Sequence, residues 1–378
     1  MGSELSRAFF DLVQLVCGSV FAGDFLVCLE YCYWTPRACI SYLRNHYPAL
    51  LIFAAKRDSV FITRALIEAG VDVRWESDFW VNRRPGSIDW NRGSREHPIS
   101  YAAKLGHTAT LALLLQHGAD IEYKGHEGCR PLLLAAQNNH VPATRLLISQ
   151  GADLLSENMW SQSPISVALH SGSSGTLETL LEALQGRSSE YVKQGLQQLL
   201  FAASSSRGDI QWIHFALSRG ADINYRKSQY NHTALLRAAA NKASPATVRV
   251  LLENGADPNV RTLPLPGLRW HKQTETPLLV AARNPIGSTS IIELLLIHGA
   301  NTDGEDAYLA LRMAVQRGET SLFHLLVEHG APLELALPRT QTLMRTALIA
   351  DEKEMVKLLL EMGMSPSDED LAIIRERD

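Results

Sequence analysis

One phrase returns along most of this chain, and it restricts the available folds more than any other feature. It runs from a threonine or proline start through two small residues and a leucine-rich stretch to Gly-Ala-Asp or a variant. Its clearest copy is Thr276-Pro277-Leu278-Leu279-Val280-Ala281-Ala282, then Ile292-Glu293-Leu294-Leu295-Leu296, then Gly299-Ala300-Asn301. Arg130-Pro131-Leu132 opens another, which continues through Ala135-Ala136 and Leu146-Leu147 to Gly151-Ala152-Asp153. His97-Pro98-Ile99 opens a third, which ends at Gly118-Ala119-Asp120. The closing glycines are Gly70, Gly118, Gly151, Gly220, Gly255, Gly299, Gly330 and Gly363. Gly118 and Gly151 are 33 residues apart. Gly151 and Gly220 are 69 apart, so a degraded unit lies between them, from Ser163-Pro164-Ile165 to an end near Gly186. The sequence therefore reads as nine units, with residues 186–196 as a longer connection.

Each part of the phrase has a physical task. Thr-Pro caps and starts a short first helix. The Ala-Ala pair lets two helices approach closely. The leucine run gives the second helix an apolar face. Glycine takes the left-handed conformation that ends that helix. Asp-x-Asn, as in Asp222-Ile223-Asn224 and Asp257-Pro258-Asn259, closes a side-chain-capped turn that opens a hairpin. No unit can hide its own apolar face, so the units must stack in one dimension.

At these residues the chain resembles the ankyrin-repeat family, over roughly residues 48–366. The family's histidine after the Thr-Pro-Leu start is replaced by Ser100, Leu133, Ser166, Leu236 and Leu279. The resemblance implies an all-α ankyrin-repeat solenoid with projecting hairpin loops and helical end caps. It also implies that hairpin tips and first helices line a concave surface that holds a partner. The expected organisation is an N-terminal helical cap at 1–47, the array at 48–366 and a capping helix at 367–378.

Composition narrows the setting. The chain is 46% hydrophobic, which is ample for a folded core. Its net charge of −4 disfavours a dedicated nucleic-acid binder. Five cysteines are too few for a disulfide scaffold. Four of them, Cys17, Cys28, Cys32 and Cys39, follow no zinc spacing and read as small apolar packing residues. The apolar stretch from Ala8 to Trp34 is broken by Asp11, Gln14, Asp24 and Glu30, which argues against a membrane span. A cytoplasmic chain is expected, with the nucleus also open to it, and no cofactor or metal is called for.

Two hairpin regions exceed the period. Gly70 to Gly118 is 48 residues and Gly255 to Gly299 is 44, which places insertions near 74–96 and 261–273. Insertions in such arrays map to loops, often on the binding face. Rings and guanidinium groups concentrate in the hairpins: Trp80, Arg83, Arg84, Trp90, Tyr123, Trp160, Tyr225, Tyr230, Arg269, Trp270 and His271. Trp, Tyr and Arg dominate binding hot spots because they bury large area with few torsions. These residues are the candidate binding set. The competing structural reading is that the insertions fold back and seal the edge of the stack with their indoles. Charge adds direction, since residues 201–300 hold 11 basic against 6 acidic residues, whereas residues 301–378 hold 8 against 15.

No phosphate-binding glycine loop, nucleophile elbow or zinc-helix motif is present. Of 13 histidines, His107 and His140 match positions between paired helices, and His117, His298 and His329 precede closing glycines. All five read as structural. The leading expectation is a binding module for a protein or peptide. The rival is an enzyme or small-molecule binder, of cyclase or isomerase type, with a pocket between the two insertions. In that reading Asp89 and His271 would move protons.

Overall fold

The computed structural model describes residues 50–68, 70–74, 97–205, 209–227, 232–240, 244–262, 275–284, 288–334, 342–368 and 370–371. The expected N-terminal cap, its four cysteines and most of both insertions lie outside these residues. Among the described residues there are eighteen α-helices and no strand. The helices fall into nine successive pairs, as the repeat phrase requires. They are α1 (Leu50–Lys56) and α2 (Val60–Glu68); α3 (Pro98–Leu105) and α4 (Thr108–Gln116); α5 (Pro131–Gln137) and α6 (Val141–Ser149); α7 (Pro164–His170) and α8 (Ser174–Gln185); α9 (Ser189–Ala203) and α10 (Ile210–Ser218). Then follow α11 (Ala234–Ala240) and α12 (Pro245–Glu253); α13 (Pro277–Arg283) and α14 (Ser288–Ile297); α15 (Glu305–Gln316) and α16 (Thr320–Glu328); α17 (Leu343–Ala350) and α18 (Lys353–Glu361).

The first helices begin where the sequence provides a cap. Thr276 Oγ1 accepts the Leu279 N–H at 3.5 Å, Thr233 Oγ1 accepts that of Leu236 at 3.3 Å, and Thr342 Oγ1 accepts that of Arg345 at 3.2 Å. Ser163 and Ser166 form a reciprocal capping box at the start of α7. The second helices end as expected: all eight closing glycines have φ between 84° and 93°, the left-handed region that a side chain at Cβ disfavours.

The chain forms two compact halves, residues 1–198 and 199–378, which divide within α9. In the amino-terminal half, α1, α3, α5 and α7 pack in one row and α2, α4, α6 and α8 in a second. In the carboxy-terminal half, α11, α13, α15 and α17 form one row and α10, α12, α14 and α16 the other. Between the rows lie the alanine pairs: Ala54, Ala55, Ala102, Ala103, Ala135, Ala136, Ala238, Ala239, Ala281 and Ala282 are all buried. Leucines of the second helices, such as Leu111, Leu114, Leu147, Leu251 and Leu295, close the core from the other side. Among the described residues, Phe323 is the largest fully buried side chain.

One expectation needs correction. Residues 186–196 are not a long connection: Gly186 has φ −80° and a helix starts at Ser189. The fourth unit simply lacks a hairpin. Its second helix extends over twelve residues, and α9 follows after a three-residue turn. The sequence hides this because residues 189–198 are mostly polar, and the apolar stripe of α9 (Leu196, Leu199, Leu200) begins only late in the helix. At the far end, the Ser367 N–H donates to Asp370 Oδ2 (2.9 Å) and Ser367 Oγ accepts from the Asp370 N–H (3.3 Å), the reciprocal pattern of a capping box.

Candidate functional site

The hairpins are fixed by the aspartates that follow the closing glycines. The Oδ1 atoms of Asp72, Asp120, Asp153, Asp222 and Asp257 each accept the N–H two residues on, at 2.9–3.1 Å. In the carboxy-terminal half the residue at that second position is asparagine, and its amide ties one hairpin to the next. Asn224 Nδ2 donates to the Gly255 carbonyl (3.1 Å) while its Oδ1 accepts the Asp257 N–H (2.9 Å). Asn259 repeats the pair on Gly299 (2.9 Å) and Asn301 (2.7 Å).

The amino-terminal half uses other groups for the same task. Glu122 Oε1 accepts the Asp153 N–H at 2.8 Å, and its second oxygen pairs with Arg130 Nε at 3.0 Å. Tyr191, on α9, donates its hydroxyl to Asp153 Oδ1 (2.7 Å) and accepts the Leu154 N–H (3.0 Å). Burial first, then the hydrogen bond to Asp153, pushes the Tyr191 phenol up to about 12. Between the helices, His107 Nδ1 meets the Ala55 carbonyl (2.8 Å) and His140 Nε2 the Lys104 carbonyl (3.0 Å). In the eighth unit Arg317 reaches the Ala282 and Arg283 carbonyls, each at 2.7 Å. His298 and His329 cap carbonyls four residues back at 2.9 Å. These histidines are structural, as their positions in the phrase implied.

Among the described residues, the hairpin between α6 and α7 carries the most exposed large aromatic ring, that of Trp160. Asn158 organises it: Asn158 Oδ1 accepts the N–H of Trp160 (3.0 Å) and of Gln162 (2.9 Å), and the Asn158 N–H donates to the Gln162 carbonyl (3.0 Å). Ser161 completes the turn at φ 56°. The Met159 N–H donates to the Glu127 carbonyl (2.9 Å), which pins this tip to the preceding hairpin. On this fixed turn Met159 and Trp160 are 60% and 63% exposed. Single exposed apolar residues are ordinary, but an adjacent pair on a hydrogen-bonded tip is a presented surface.

Of the candidate binding set, Trp160, Tyr123 and Tyr225 lie within the described residues. Tyr225 is half-exposed beside exposed Arg226. Tyr123 is buried, with its ring stacked on buried His97 at 4.2 Å, so it packs the edge of α3 and offers no open ring to a partner. Its reading as an anchor is withdrawn: the ring follows the apolar hairpin base inward. Trp80, Arg83, Arg84, Asp89, Trp90, Tyr230, Arg269, Trp270 and His271 lie outside the described residues. Thr262 and Glu275 pair with one another: the Thr262 N–H donates to the Glu275 carbonyl (3.0 Å) and Thr262 Oγ1 accepts the Glu275 N–H (2.8 Å).

Sequence reasoning missed one line of side chains. The residue just before each Ala-Ala pair is half-buried on the first-helix face: Phe53, Tyr101 and Leu134 in the amino-terminal half, Phe201, Arg237 and Val280 in the other. Lys56 Nζ sits 4.0 Å from the Tyr101 ring centroid and 5.7 Å from that of Phe53. Arg237 lies over Phe201 at 4.4 Å, and Lys227 Nζ lies over the same ring at 5.2 Å. The signal was available, since an arginine interrupts the apolar register in Leu235-Leu236-Arg237-Ala238-Ala239. Burial lowers Arg237 below its ordinary value, and burial followed by Arg237 lowers His232. Cys129 is half-buried and its thiol is raised by burial, so it is not an activated nucleophile. No group of three metal-ligating side chains occurs among the described residues, and none of their helices is long and apolar enough to cross a membrane.

The family model for ankyrin repeats matches residues 99–189, 199–306 and 278–370, well over half the chain. The chain belongs to the ankyrin-repeat family. Relatives share stretches of it. The E3 ubiquitin-protein ligase KEG of Arabidopsis thaliana is 24% identical over 57% of this ankyrin chain and 14% of its own length. An ankyrin repeat protein of fowlpox virus (strain NVSL) is 30% identical over 31% of the chain and 32% of its own. The B-cell lymphoma 3 protein homolog of Mus musculus is 32% identical over 31% of the chain and 24% of its own. The chain thus spans a third or less of the length of these relatives. Ankyrin repeats are generally protein-interaction modules, and this array has the architecture of one.

Proposed function

We propose that this chain binds a protein or peptide partner through its first-helix face and hairpin tips, with Trp160 as the anchor in the amino-terminal half. The observation that supports this is the exposed Met159–Trp160 pair on a turn held by Asn158. Such a turn loses little freedom on binding, so most of the area its indole buries contributes to affinity. The mechanism is recognition by a preformed surface, without chemistry. Trp80, Arg83, Arg84, Trp90, Tyr230, Arg269, Trp270 and His271 remain proposed contributors on the residue chemistry alone.

The test begins with peptides selected from a displayed library on the immobilised chain. Their affinities are then measured for three proteins: the wild type, Trp160→Ala, and Ile297→Ala, which removes an equally exposed apolar side chain from a second helix. Trp160→Ala is expected to weaken binding by about 2 kcal/mol or more, and Ile297→Ala by less than about 0.5 kcal/mol. The reverse order would place the binding face on the second helices and refute the assignment.

A further inference from the structure

Arg237 occupies a position where Leu134 and Val280 serve in other units. Packing alone does not explain a guanidinium there, because an aliphatic side chain fills the same space without being desolvated. Two other arginines at unit junctions find oxygen partners. Arg317 donates to two carbonyls, and Arg130 pairs with Glu122 and donates to the Glu157 carbonyl. Arg237 differs. Its Nε is shut off from solvent without a hydrogen bond, as that of Arg130 is, but among the described residues no carboxylate pairs with its guanidinium and no carbonyl accepts from it. Its charge is half-buried on the Phe201 ring, and no group of the described residues neutralises it.

Two further basic residues stand in this neighbourhood, Lys227 and His232. Lys227 brings a second cation over the same ring. Burial and then Arg237 disfavour the charged form of His232. The nearby acid is Glu275, and its carboxylate is already engaged by Arg283. A cation held this way is costly to the fold unless something pairs with it, which is why unneutralised buried charges mark sites.

We infer that Arg237, stacked on Phe201 beside Lys227, forms a binding site for the carboxylate of an acidic peptide segment. Planar guanidinium and planar carboxylate match edge to edge in a bidentate pair. Half-exposed Tyr225 and exposed Arg226, on the same hairpin as Lys227, continue the surface along which an extended acidic chain would run. This site lies wholly in the carboxy-terminal half and does not depend on Trp160.

The experiment uses the full chain and a rhodamine-labelled hexaglutamate peptide, read by fluorescence anisotropy at low salt. Arg237→Met keeps an unbranched stem on Phe201 and removes the charge. It is expected to weaken binding about tenfold or more while thermal stability holds or rises, since an unpaired half-buried charge is lost. Arg237→Lys keeps the charge without the fork and should fall between. Arg249→Gln removes an exposed arginine from α12 and should change little. Trp160→Ala should leave hexaglutamate binding intact, which separates a failure of this site from a failure of the Trp160 anchor. Equal affinity of wild type and Arg237→Met, or of wild type and Arg237→Lys, would overturn the proposal. So would Arg237-dependent binding that is tighter for a phosphoserine peptide of matched net charge. A dimer of the free chain that Arg237→Met dissolves, with peptide binding unchanged, would reassign the site to the acidic carboxy-terminal stretch of a second copy.

Discussion

The two halves solve the same problem with different chemistry. Each must fix consecutive hairpins against one another, and side chains carry most of those links. In the carboxy-terminal half one device repeats: Asn224 and Asn259 each place a donor on a glycine carbonyl and an acceptor under the next backbone N–H. An amide suits this because it carries both functions on one short, rigid group. In the amino-terminal half Glu122 supplies the acceptor only, and its other oxygen turns to Arg130. Tyr191 reaches back from α9 to bind Asp153 and Leu154 after a unit that has no hairpin of its own. Where the regular stitch is absent, the hairpins gain freedom to do something else. That is where Asn158 builds the turn presenting Trp160. Regularity belongs to the scaffold, and departure from it marks the displayed surface.

The largest effect on stability should come from the regular stitch. Asn259→Ala removes two hydrogen bonds and leaves the Gly299 carbonyl and Asn301 N–H to water. A loss of about 2 kcal/mol in urea unfolding is expected. Asn259→Asp, which keeps the acceptor and loses the donor, should cost about half as much. If both variants unfold with the wild type, the ladder is ornamental and the contrast between the halves fails. Tyr191→Phe comes next, at about 1 kcal/mol, because one phenol serves a carboxylate and a backbone N–H at a partly exposed site. It also has a pH signature. The folded phenol lies above its unfolded value of 10.0, so its contribution is complete below pH 10 and declines as pH rises toward about 12. Tyr191→Phe should flatten that alkaline limb, and an unchanged limb would assign it elsewhere. Trp160→Ala should shift stability by no more than about 0.5 kcal/mol, since the indole is largely exposed. A larger loss would mean that the indole packs against its own array.

Much of this was legible in the residues. The phrase predicted nine helix pairs, and nine pairs are found among the described residues. The glycines announced left-handed caps because few other residues tolerate that backbone. Asp-x-Asn announced the turn, although not the hand-off by which Asn224 and Asn259 grip the following hairpin, since that bond spans 31 to 42 residues. Residues 186–196 resist because their polar surface gives no periodic apolar signal, so the sequence suggests a longer connection where a helix begins at Ser189. Tyr123 resisted for the opposite reason. A ring in a hairpin resembles an anchor until its neighbour His97 is seen to cover it. Arg237 was visible as a break in register, but its meaning depends on Phe201, which stands one unit earlier.

The smallest expected effect tests that cationic patch without any ligand. Burial, and then Arg237, hold His232 below its ordinary value of 6.5, with Glu275 opposing them. In the unfolded chain His232 returns to that ordinary value. Between the depressed folded pKa and about 6.5, the unfolded state therefore binds more protons than the folded one, and stability rises with pH. The contribution is complete above pH 6.5 and is lost progressively as pH falls through that window. His232→Asn should remove this acidic slope while leaving the neutral plateau within about 0.5 kcal/mol. Arg237→Met should raise the His232 titration midpoint, read from its imidazole proton resonance, because one of the two causes of the depression is gone. Saturating hexaglutamate should raise it too, since a carboxylate on Arg237 offsets the same field. A midpoint that moves with neither change would mean that burial alone sets His232 and that its field from Arg237 is too weak to recruit an anion.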